Sequence, residues 1–395
     1  MRQSVRFGVA IALALMIALA GCTGTASQPT ATQAPTPAAT KAPAPAATTA
    51  PAAPTQAPAA QATKAPAQAG VDTLNGAGAS FPAVLYSKWF GEYYKQTGVK
   101  VNYQSIGSGG GIKGISDMTV DFGASDAPMT EEQMKATKGG AILHIPTALG
   151  GVAVTHNIPE VKKQLRFTPE TVSGIFLGEI KKWNDPKLLA DNPDAGLPDK
   201  EIVVVHRSDG SGTTAIFTDY LSAVSEQWKS SVGKGTSVNW PVGLGGKGNE
   251  GVANEVKQNP YSIGYVEVIY AIQQKLGVAL IKNKAGHFVE PTLESVTAAA
   301  AGVADTIAPD LRASIVNADG EKAYPISGFT WLLVYEKQTD KAKAATLAKL
   351  LWWAIHDGQR YNAELGYAPL PEGIVSKAEA KVKAITVDGK PAFGS

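Results

Sequence analysis

The stretch RSDGSGTT, residues 207–214, decides how the middle of this 395-residue chain folds. It follows the β-branched run IVVV and precedes the helix-like run AIFTDYL. A strand that ends in a Gly/Ser/Thr turn and continues as a helix leaves backbone N–H groups unpaired at the turn, where they attract anions. The hydroxyls of Ser211 and Thr213 and the guanidinium of Arg207 lie beside that turn. The stretch therefore predicts half of a site for a small tetrahedral oxyanion.

Three more glycine-rich turns have a similar composition. They are GAGASFP at residues 76–82, GSGGG at residues 107–111 and DFGASDAP at residues 121–128. In the first, we expect Ser80 to be the N-cap of the following helix and Pro82 to suit its first turn. The third places the carboxylate of Asp126 at the end of a short apolar segment. One such turn is most often only a turn, but their recurrence with hydroxyl side chains favours a shared anion site.

The bulk composition excludes several classes of partner. The chain is 44% apolar and 18% charged, with a net charge of +2. This balance gives no general basis for binding nucleic acid or a membrane surface, so local donors must bind any anion. Cys22 is the single cysteine, which excludes an intrachain disulfide and a CxxC-type zinc site. The length predicts two lobes rather than one.

The N-terminal residues have the layout of a secretory signal. A cationic start, MRQSVR, precedes an almost wholly apolar run, and LAGC at residues 19–22 resembles a bacterial lipobox. In such signals the cysteine, here Cys22, becomes the first mature residue and carries lipid. We therefore expect residues 1–22 to be a lipoprotein signal and the mature protein to be anchored outside the cytoplasmic membrane. A plain signal peptide with a chance cysteine, or an uncleaved anchor, is the alternative.

Residues 23–70 are rich in Ala, Pro, Thr and Gln and carry no large apolar side chain. Recurring prolines block helix and sheet, so we expect a disordered, partly polyproline-like tether. Its expected role is to space a folded head, residues 71–395, from the membrane. A solvated linker with no role beyond connection is compatible with the same composition.

The head alternates short apolar runs with helical stretches. We expect strands at residues 99–103, 151–155, 202–205, 263–266 and 331–335, and helices at residues 83–96, 249–258 and 342–356. In the first helix, Leu85, Trp89 and Tyr93 recur at four-residue spacing, which is typical of a buried helix face. Alternation of this kind predicts an α/β fold in which helices cover the sheets.

The motifs do not indicate an enzyme. The GLGGKG stretch at residues 243–248 has Gly248 after its lysine, where a P-loop needs Ser or Thr to hold magnesium, so a structural turn is expected. Neither Ser108 nor Ser211 lies in a Gly-x-Ser-x-Gly elbow. The five histidines are scattered, without the paired spacing of a metal site. A phosphatase whose product site resembles these loops is the enzymatic alternative, but no metal cluster or activated nucleophile is visible.

Taken together, the loops resemble those of the periplasmic phosphate-binding proteins, the substrate-binding components of phosphate-specific ABC importers. The resemblance covers about residues 74–370. The segments that carry it are residues 76–82, 107–111, 120–128, 207–213, 240–249 and 263–267. Ser80 stands where other members have Thr, so a hydroxyl is retained.

The resemblance implies a type II-like periplasmic-binding-protein fold, with two hinged α/β lobes around a ligand cleft. One lobe would combine residues 71–148 with residues 325–395, and the other would be residues 149–324. It further implies a monomer that binds no cofactor, metal or nucleic acid and passes inorganic phosphate to membrane permease subunits. The implied phosphate contacts are Ser80, the backbone of Phe81, Ser108, Asp126, Arg207, Ser211, Gly212 and Thr213, with Asp209 pairing with Arg207 to hold the guanidinium in place.

The chemistry of Asp126 gives a separate argument for phosphate. Hydroxyls, N–H groups and a guanidinium match the acceptor-rich oxygens of the anion, whereas a carboxylate repels it. The carboxylate becomes favourable only if the ligand donates a proton. Phosphate and arsenate keep a proton near neutral pH and sulfate does not, so Asp126 is the expected specificity element. The alternative role for Asp126 is a helix N-cap. The alternative ligand is sulfate or molybdate, and the alternative function is that of a surface adhesin or sensor on the same fold.

Overall fold

The structure, a computed structural model, describes residues 71–393. The expected signal, the lipidation of Cys22 and the expected tether lie outside the described residues. None of the helices in residues 71–393 has the length and apolar character needed to cross a membrane.

Fifteen strands are assigned in residues 71–393. They are β1 (Thr73–Gly78), β2 (Lys100–Ser105), β3 (Phe122–Ser125), β4 (Ile142–Asn157), β5 (Arg166–Phe167), β6 (Val203–Arg207), β7 (Leu244–Gly246), β8 (Ser262–Glu267), β9 (Gly277–Val278), β10 (Leu280–Lys282), β11 (Phe288–Val289), β12 (Ser327–Tyr335), β13 (Lys337–Gln338), β14 (Thr386–Val387) and β15 (Lys390–Pro391).

Thirteen α-helices are assigned in the same residues. They are α1 (Ala83–Thr97), α2 (Ser108–Ser116), α3 (Glu131–Lys135), α4 (Pro169–Phe176), α5 (Pro186–Asp191), α6 (Gly212–Val224), α7 (Glu226–Ser231), α8 (Gly248–Gln258), α9 (Val268–Gln274), α10 (Leu293–Ala300), α11 (Val303–Thr306), α12 (Lys341–Ile355) and α13 (Glu372–Lys383). Two 3-10 helices, Asp357–Tyr361 and Ala363–Leu365, follow α12.

One large mixed sheet organises the fold. Its strand order is β2-β1-β3-β12-β4-β8-β6-β7, and β9 also pairs with β4. The long strand β4 runs antiparallel to β12 from Ile142 to Gly151 and then antiparallel to β8 from Val152 to Asn157. β4 therefore belongs to both halves of the sheet. Helices follow most of the strands, which confirms the predicted α/β fold class.

Aromatic side chains fill the core on both sides of β4. On the β12 side, α1 buries Trp89 against Trp353 of α12, with ring centroids 6.2 Å apart. On the β8 side, Phe217 of α6 stacks on Tyr265 of β8 at 4.4 Å between centroids. Packing of α6 onto β8 fixes where the N-terminus of α6 lies, and that N-terminus is part of the RSDGSGTT stretch.

The predicted helices and strands are present with shifted ends, and the predicted N-cap of α1 is wrong. The four-residue spacing in α1 does place Leu85, Trp89 and Tyr93 in the core. Ser80, however, does not cap α1, because the N-cap position is Pro82 and no side chain bonds the helix start. The expected strand at residues 151–155 is only the end of β4, which begins at Ile142.

Candidate functional site

The RSDGSGTT stretch forms a strand-to-helix turn, as its composition predicts. β6 ends at Arg207 and α6 begins at Gly212, with Ser211 as N-cap whose hydroxyl oxygen accepts from the Thr214 N–H at 3.0 Å. The Arg207 N–H donates to the Tyr265 hydroxyl oxygen at 3.1 Å, which ties the end of β6 to β8. This cap leaves the hydroxyl hydrogen of Ser211 available to an anion at the helix N-terminus.

Asp209 holds the guanidinium of Arg207 in a two-point ion pair. Arg207 Nε donates to Asp209 Oδ1 at 2.8 Å, and Nη2 donates to Oδ2 at 2.6 Å. Oδ1 also accepts from the Gly248 N–H at 3.0 Å. Burial raises the pKa of Asp209, but the hydrogen bonds and charge of Arg207 and the Gly248 N–H outweigh it and hold that pKa below its ordinary value. Asp209 is thus an ionised anchor for a buried arginine.

Ser108 joins two segments that are far apart in the sequence. It is the first residue of α2, and its Oγ accepts from the Gly212 N–H, at the start of α6, at 2.9 Å. The same oxygen lies 3.4 Å from Asp126 Oδ2. The site therefore joins the N-termini of two helices to the carboxyl group of Asp126.

Asp126 lies directly after β3 and is 3% exposed. Its Oδ1 accepts from the Thr330 hydroxyl at 2.8 Å. Burial raises the pKa of Asp126 to about 7, against the opposing effects of Thr330, Arg207 and Ser108. The alternative role as a helix cap is wrong for α3, because Thr130 is the N-cap of that helix. Asp126 is therefore a buried acid without a capping role at α3.

The loop between β1 and α1 brings Ser80 and Phe81 to the same place. Ser80 Oγ accepts from the backbone N–H of Asn249 at 3.1 Å and from its side-chain amide at 2.9 Å. That amide also donates to Thr213 Oγ1 at 3.1 Å. One asparagine at the start of α8 therefore connects the loop before α1 with the first turn of α6.

All the site residues named from the sequence lie in this one region, and several partners were not foreseen. Asn249 and Thr330 touch Ser80 and Asp126, and Tyr270 and Tyr367 donate to the carbonyl oxygens of the Ser80–Phe81 loop at 2.6 Å each. The GLGGKG turn, expected to be only structural, supplies the N–H that bonds Asp209. The position of the GLGGKG turn directly before a helix was the one local signal that it could supply a backbone N–H donor.

The arrangement is suited to holding an anion. It offers hydroxyls, helix N-terminal N–H groups and a fixed guanidinium, all buried, next to one protonatable carboxyl. Within residues 71–393, no group of three or more His, Cys, Asp or Glu side chains is placed to hold a metal ion.

The fold and the site together define a ligand-binding protein of the periplasmic-binding-protein class. A PBP superfamily domain model matches residues 48–356. The chain belongs to the PstS family of phosphate-binding proteins. It is 47% identical over 321 residues to the phosphate-binding protein PstS of Pasteurella multocida, covering 80% of this chain and 92% of the relative. It is also 41% identical over 320 residues to PstS of Methanocaldococcus jannaschii, covering 75% and 82%.

A solved structure shows the same fold at lower identity. The phosphate-binding protein of Stenotrophomonas maltophilia superposes with a TM-score of 0.60 at 20% identity, covering 78% of this chain and 93% of that one. Because the two sequences are only 20% identical, the superposition shows a shared fold and nothing more.

Proposed function

We propose that this protein captures inorganic phosphate between the Ser80–Phe81 loop, Ser108, Asp126 and the RSDGSGTT stretch, and delivers it to an ABC importer. The observation that carries the proposal is the buried carboxyl of Asp126 beside Ser108 and the N-terminus of α6. A site made only of donors would accept any oxyanion. A buried carboxyl among the donors favours an anion that still carries a proton, as phosphate does near neutral pH.

The proposed contacts divide by charge. Arg207 contributes a positive charge, and Ser80, Ser108, Ser211 and Thr213 contribute hydroxyl donors. The N–H of Phe81 completes the donor set at the loop before α1. The N–H of Gly212, which donates to Ser108 Oγ in the structure, would be shared with the anion at the start of α6. The carboxylate of Asp126 accepts a hydrogen bond from the protonated oxygen of the ligand. Asp209 does not touch phosphate in this proposal but fixes the plane of the guanidinium.

The proposed lobes are residues 71–148 with 325–395, and residues 149–324. They are supported by the change of neighbour along β4, which passes from β12 to β8 after Gly151. The second proposed lobe, residues 149–324, carries Asn249, which bonds Ser80 of the first lobe across the proposed cleft.

We further propose that the protein acts outside the cytoplasmic membrane as a monomer, anchored by lipid on Cys22, with permease subunits as its partners. The lipobox-like LAGC sequence and the family relationship support this location. The protein binds and releases phosphate without chemical turnover.

The direct test is calorimetric titration of the purified protein with phosphate and with sulfate in the same buffer. We expect phosphate to bind and sulfate to bind at least about a hundredfold more weakly, the size of effect expected when buried charges are left opposed and unpaired. Absence of phosphate binding, or equal binding of the two anions, would contradict the proposal.

A further inference from the structure

Glu267 is a fully buried carboxylic side chain outside the proposed set of phosphate contacts. It is the last residue of β8 and the N-cap of α9, with 0% exposure. It pairs with Val152 on β4, at the point where β4 changes its neighbour from β12 to β8. One carboxyl oxygen, Oε1, has no hydrogen-bond partner. A buried acid with an unpartnered oxygen is costly if it is ionised.

Two tyrosines connect Glu267 to the loop proposed to hold phosphate. The Tyr367 hydroxyl lies 3.2 Å from Glu267 Oε2 and donates to the Phe81 carbonyl oxygen at 2.6 Å. Tyr270 lies on α9, the helix that Glu267 caps through the Ile269 N–H at 3.0 Å, and it donates to the Ser80 carbonyl oxygen at 2.6 Å. The two carbonyl groups on either side of the Phe81 N–H are therefore both held by tyrosines linked to Glu267.

The backbone of Glu267 reaches the same loop by a third route. Its N–H donates to Asn249 Oδ1 at 2.9 Å, which leaves the Asn249 amide hydrogens directed at Ser80 and Thr213. This bond sets the orientation of the Asn249 amide, since a flipped amide would direct its nitrogen at the Glu267 N–H and its oxygen at Ser80 and Thr213, which would both lose their side-chain donor. Glu267 thus organises both residues of the loop.

The count of hydrogens decides the protonation of Glu267. Tyr367 has one hydroxyl hydrogen, and the carbonyl oxygen of Phe81 only accepts, so the short 2.6 Å contact takes that hydrogen. The remaining contact, from Glu267 Oε2 to the Tyr367 oxygen, is attractive only if the carboxyl group supplies the hydrogen. An ionised carboxylate would direct lone pairs at a lone pair.

We propose that Glu267 is held as a neutral carboxylic acid that donates to Tyr367, and that this chain of two hydrogen bonds holds the carbonyl group of Phe81 and so positions Phe81, whose N–H is a proposed phosphate donor. The proposal rests on the proposed function for its ligand, but the protonation of Glu267 does not. Glu267 is a positioning residue, because it acts on phosphate through Tyr367.

The surroundings of Glu267 agree with a neutral acid. Burial raises the pKa of Glu267 well above its ordinary value and the charge of Asp126 adds to this, while the backbone N–H groups of Ile269 and Val268 act against it. Other titratable groups that face this cluster are Tyr270 and Glu250, which lie 3.3 Å apart. The nearest strand residues, Val152 and Gly150 of β4, carry no charge.

The first test is infrared spectroscopy of the full-length protein at about neutral pH, in the region where the carbonyl of a protonated carboxylic acid absorbs. We expect a band that is absent from E267Q and present in both D126N and E160Q. Glu160 is the matched control, since its Oε1 accepts from the Tyr261 hydroxyl at 2.6 Å on the exposed surface. Identical acid bands in the wild type and E267Q would overturn the proposal. Should E267Q not fold, a frequency shift of the band in Y367F gives the same assignment, and an unchanged band overturns it.

The second test is calorimetric titration of the wild type and Y367F with inorganic phosphate. We expect Y367F to bind roughly five- to tenfold more weakly, which corresponds to about one hydrogen bond, while Y261F binds like the wild type. Equal affinities of Y367F and the wild type would overturn the positioning role while leaving the proposed function intact. If the wild type itself fails to bind phosphate, the proposed function fails, and the infrared result still decides the protonation of Glu267.

Discussion

Ser108 Oγ lies 2.9 Å from the backbone nitrogen of Gly212, although the two residues are 104 positions apart. Ser108 opens α2 and Gly212 opens α6, so two helix N-termini meet at a single hydroxyl. The N-terminus of a helix carries a partial positive charge and unpaired N–H groups. The two helix N-termini therefore bring their partial positive charges and their N–H groups together at one buried position next to Asp126.

The absence of a side chain at Gly212 permits this meeting. A Cβ atom there would lie 2.6 Å from the backbone nitrogen of Asp126 and equally close to its Cβ and Oδ2. We expect Gly212→Ala to force the two loops apart and to weaken phosphate binding at least about tenfold, since several hydrogen bonds of the site depend on this approach. Calorimetric titration measures the effect. Gly91→Ala in α1 is the control, because a Cβ there meets nothing within 4 Å; an equal loss in both variants would contradict the argument.

Asp126 is expected to set the choice between phosphate and sulfate. Asp126→Asn replaces a carboxyl oxygen by an amide that donates, so the penalty against a fully ionised anion falls. We expect the ratio of sulfate to phosphate dissociation constants to decrease by roughly tenfold or more, as measured by titration with each anion. Asp121→Asn is the control, since Asp121 pairs with Lys343 outside the site. An unchanged ratio in D126N would show that specificity lies elsewhere.

The same carboxyl group predicts a pH dependence of stability. Burial raises the pKa of Asp126 from 3.8 to about 7 in the folded protein. Because the folded pKa lies above the unfolded one, the contribution to stability is fully present below about pH 4 and is lost as the pH rises to about 7. A shift of about three units corresponds to at most on the order of 4 kcal/mol. Urea unfolding of the phosphate-free protein at about pH 5 and about pH 8 measures the loss. The fall should be smaller in D126N, and an equal fall in both proteins would refute the assignment.

We expect phosphate binding to depend on the planar guanidinium group of Arg207 as well as on its positive charge. Arg207→Lys keeps the charge but cannot make the two bonds to Asp209, so the cation loses its fixed position. We expect phosphate to bind roughly tenfold more weakly to R207K, and more weakly still to R207A, which also loses the charge. Arg312→Lys is a matched control, because Arg312 pairs with Asp310 at the same two-residue spacing away from the site. Affinity unchanged in R207K would leave only the charge as relevant.

The sequence predicted the parts of the site that are local in the chain. The RSDGSGTT turn carries its own helix cap, anchor and donors within eight residues, so its conformation follows from local rules. The partners brought in by the fold could not be predicted in this way. Asn249 is 169 positions from Ser80, and Thr330 is 204 positions from Asp126. Local composition cannot predict either contact.

The length of β4 was also underestimated for a physical reason. Pro146 cannot donate a ladder hydrogen bond, so the first half of the strand does not resemble a central strand in sequence. The structure accommodates it with a register shift opposite Thr330 and Trp331, where Thr147 has no opposite residue. A bulge of this kind bends the strand and redirects the neighbouring side chains. Thr330, whose hydroxyl bonds Asp126, lies directly at this irregularity.

The continuity of β4 limits how the protein can be dissected. Its 16 residues pair with β12 at one end and β8 at the other, so a break within it would remove this covalent link between the two parts of the sheet. Ser80, Ser108 and Asp126 precede β4 in the chain and Arg207 follows it. Fragments cut there are therefore expected to lose the site when produced separately. A reporter for a phosphate sensor is better inserted at the exposed turn around Gly286, where the structure offers open space.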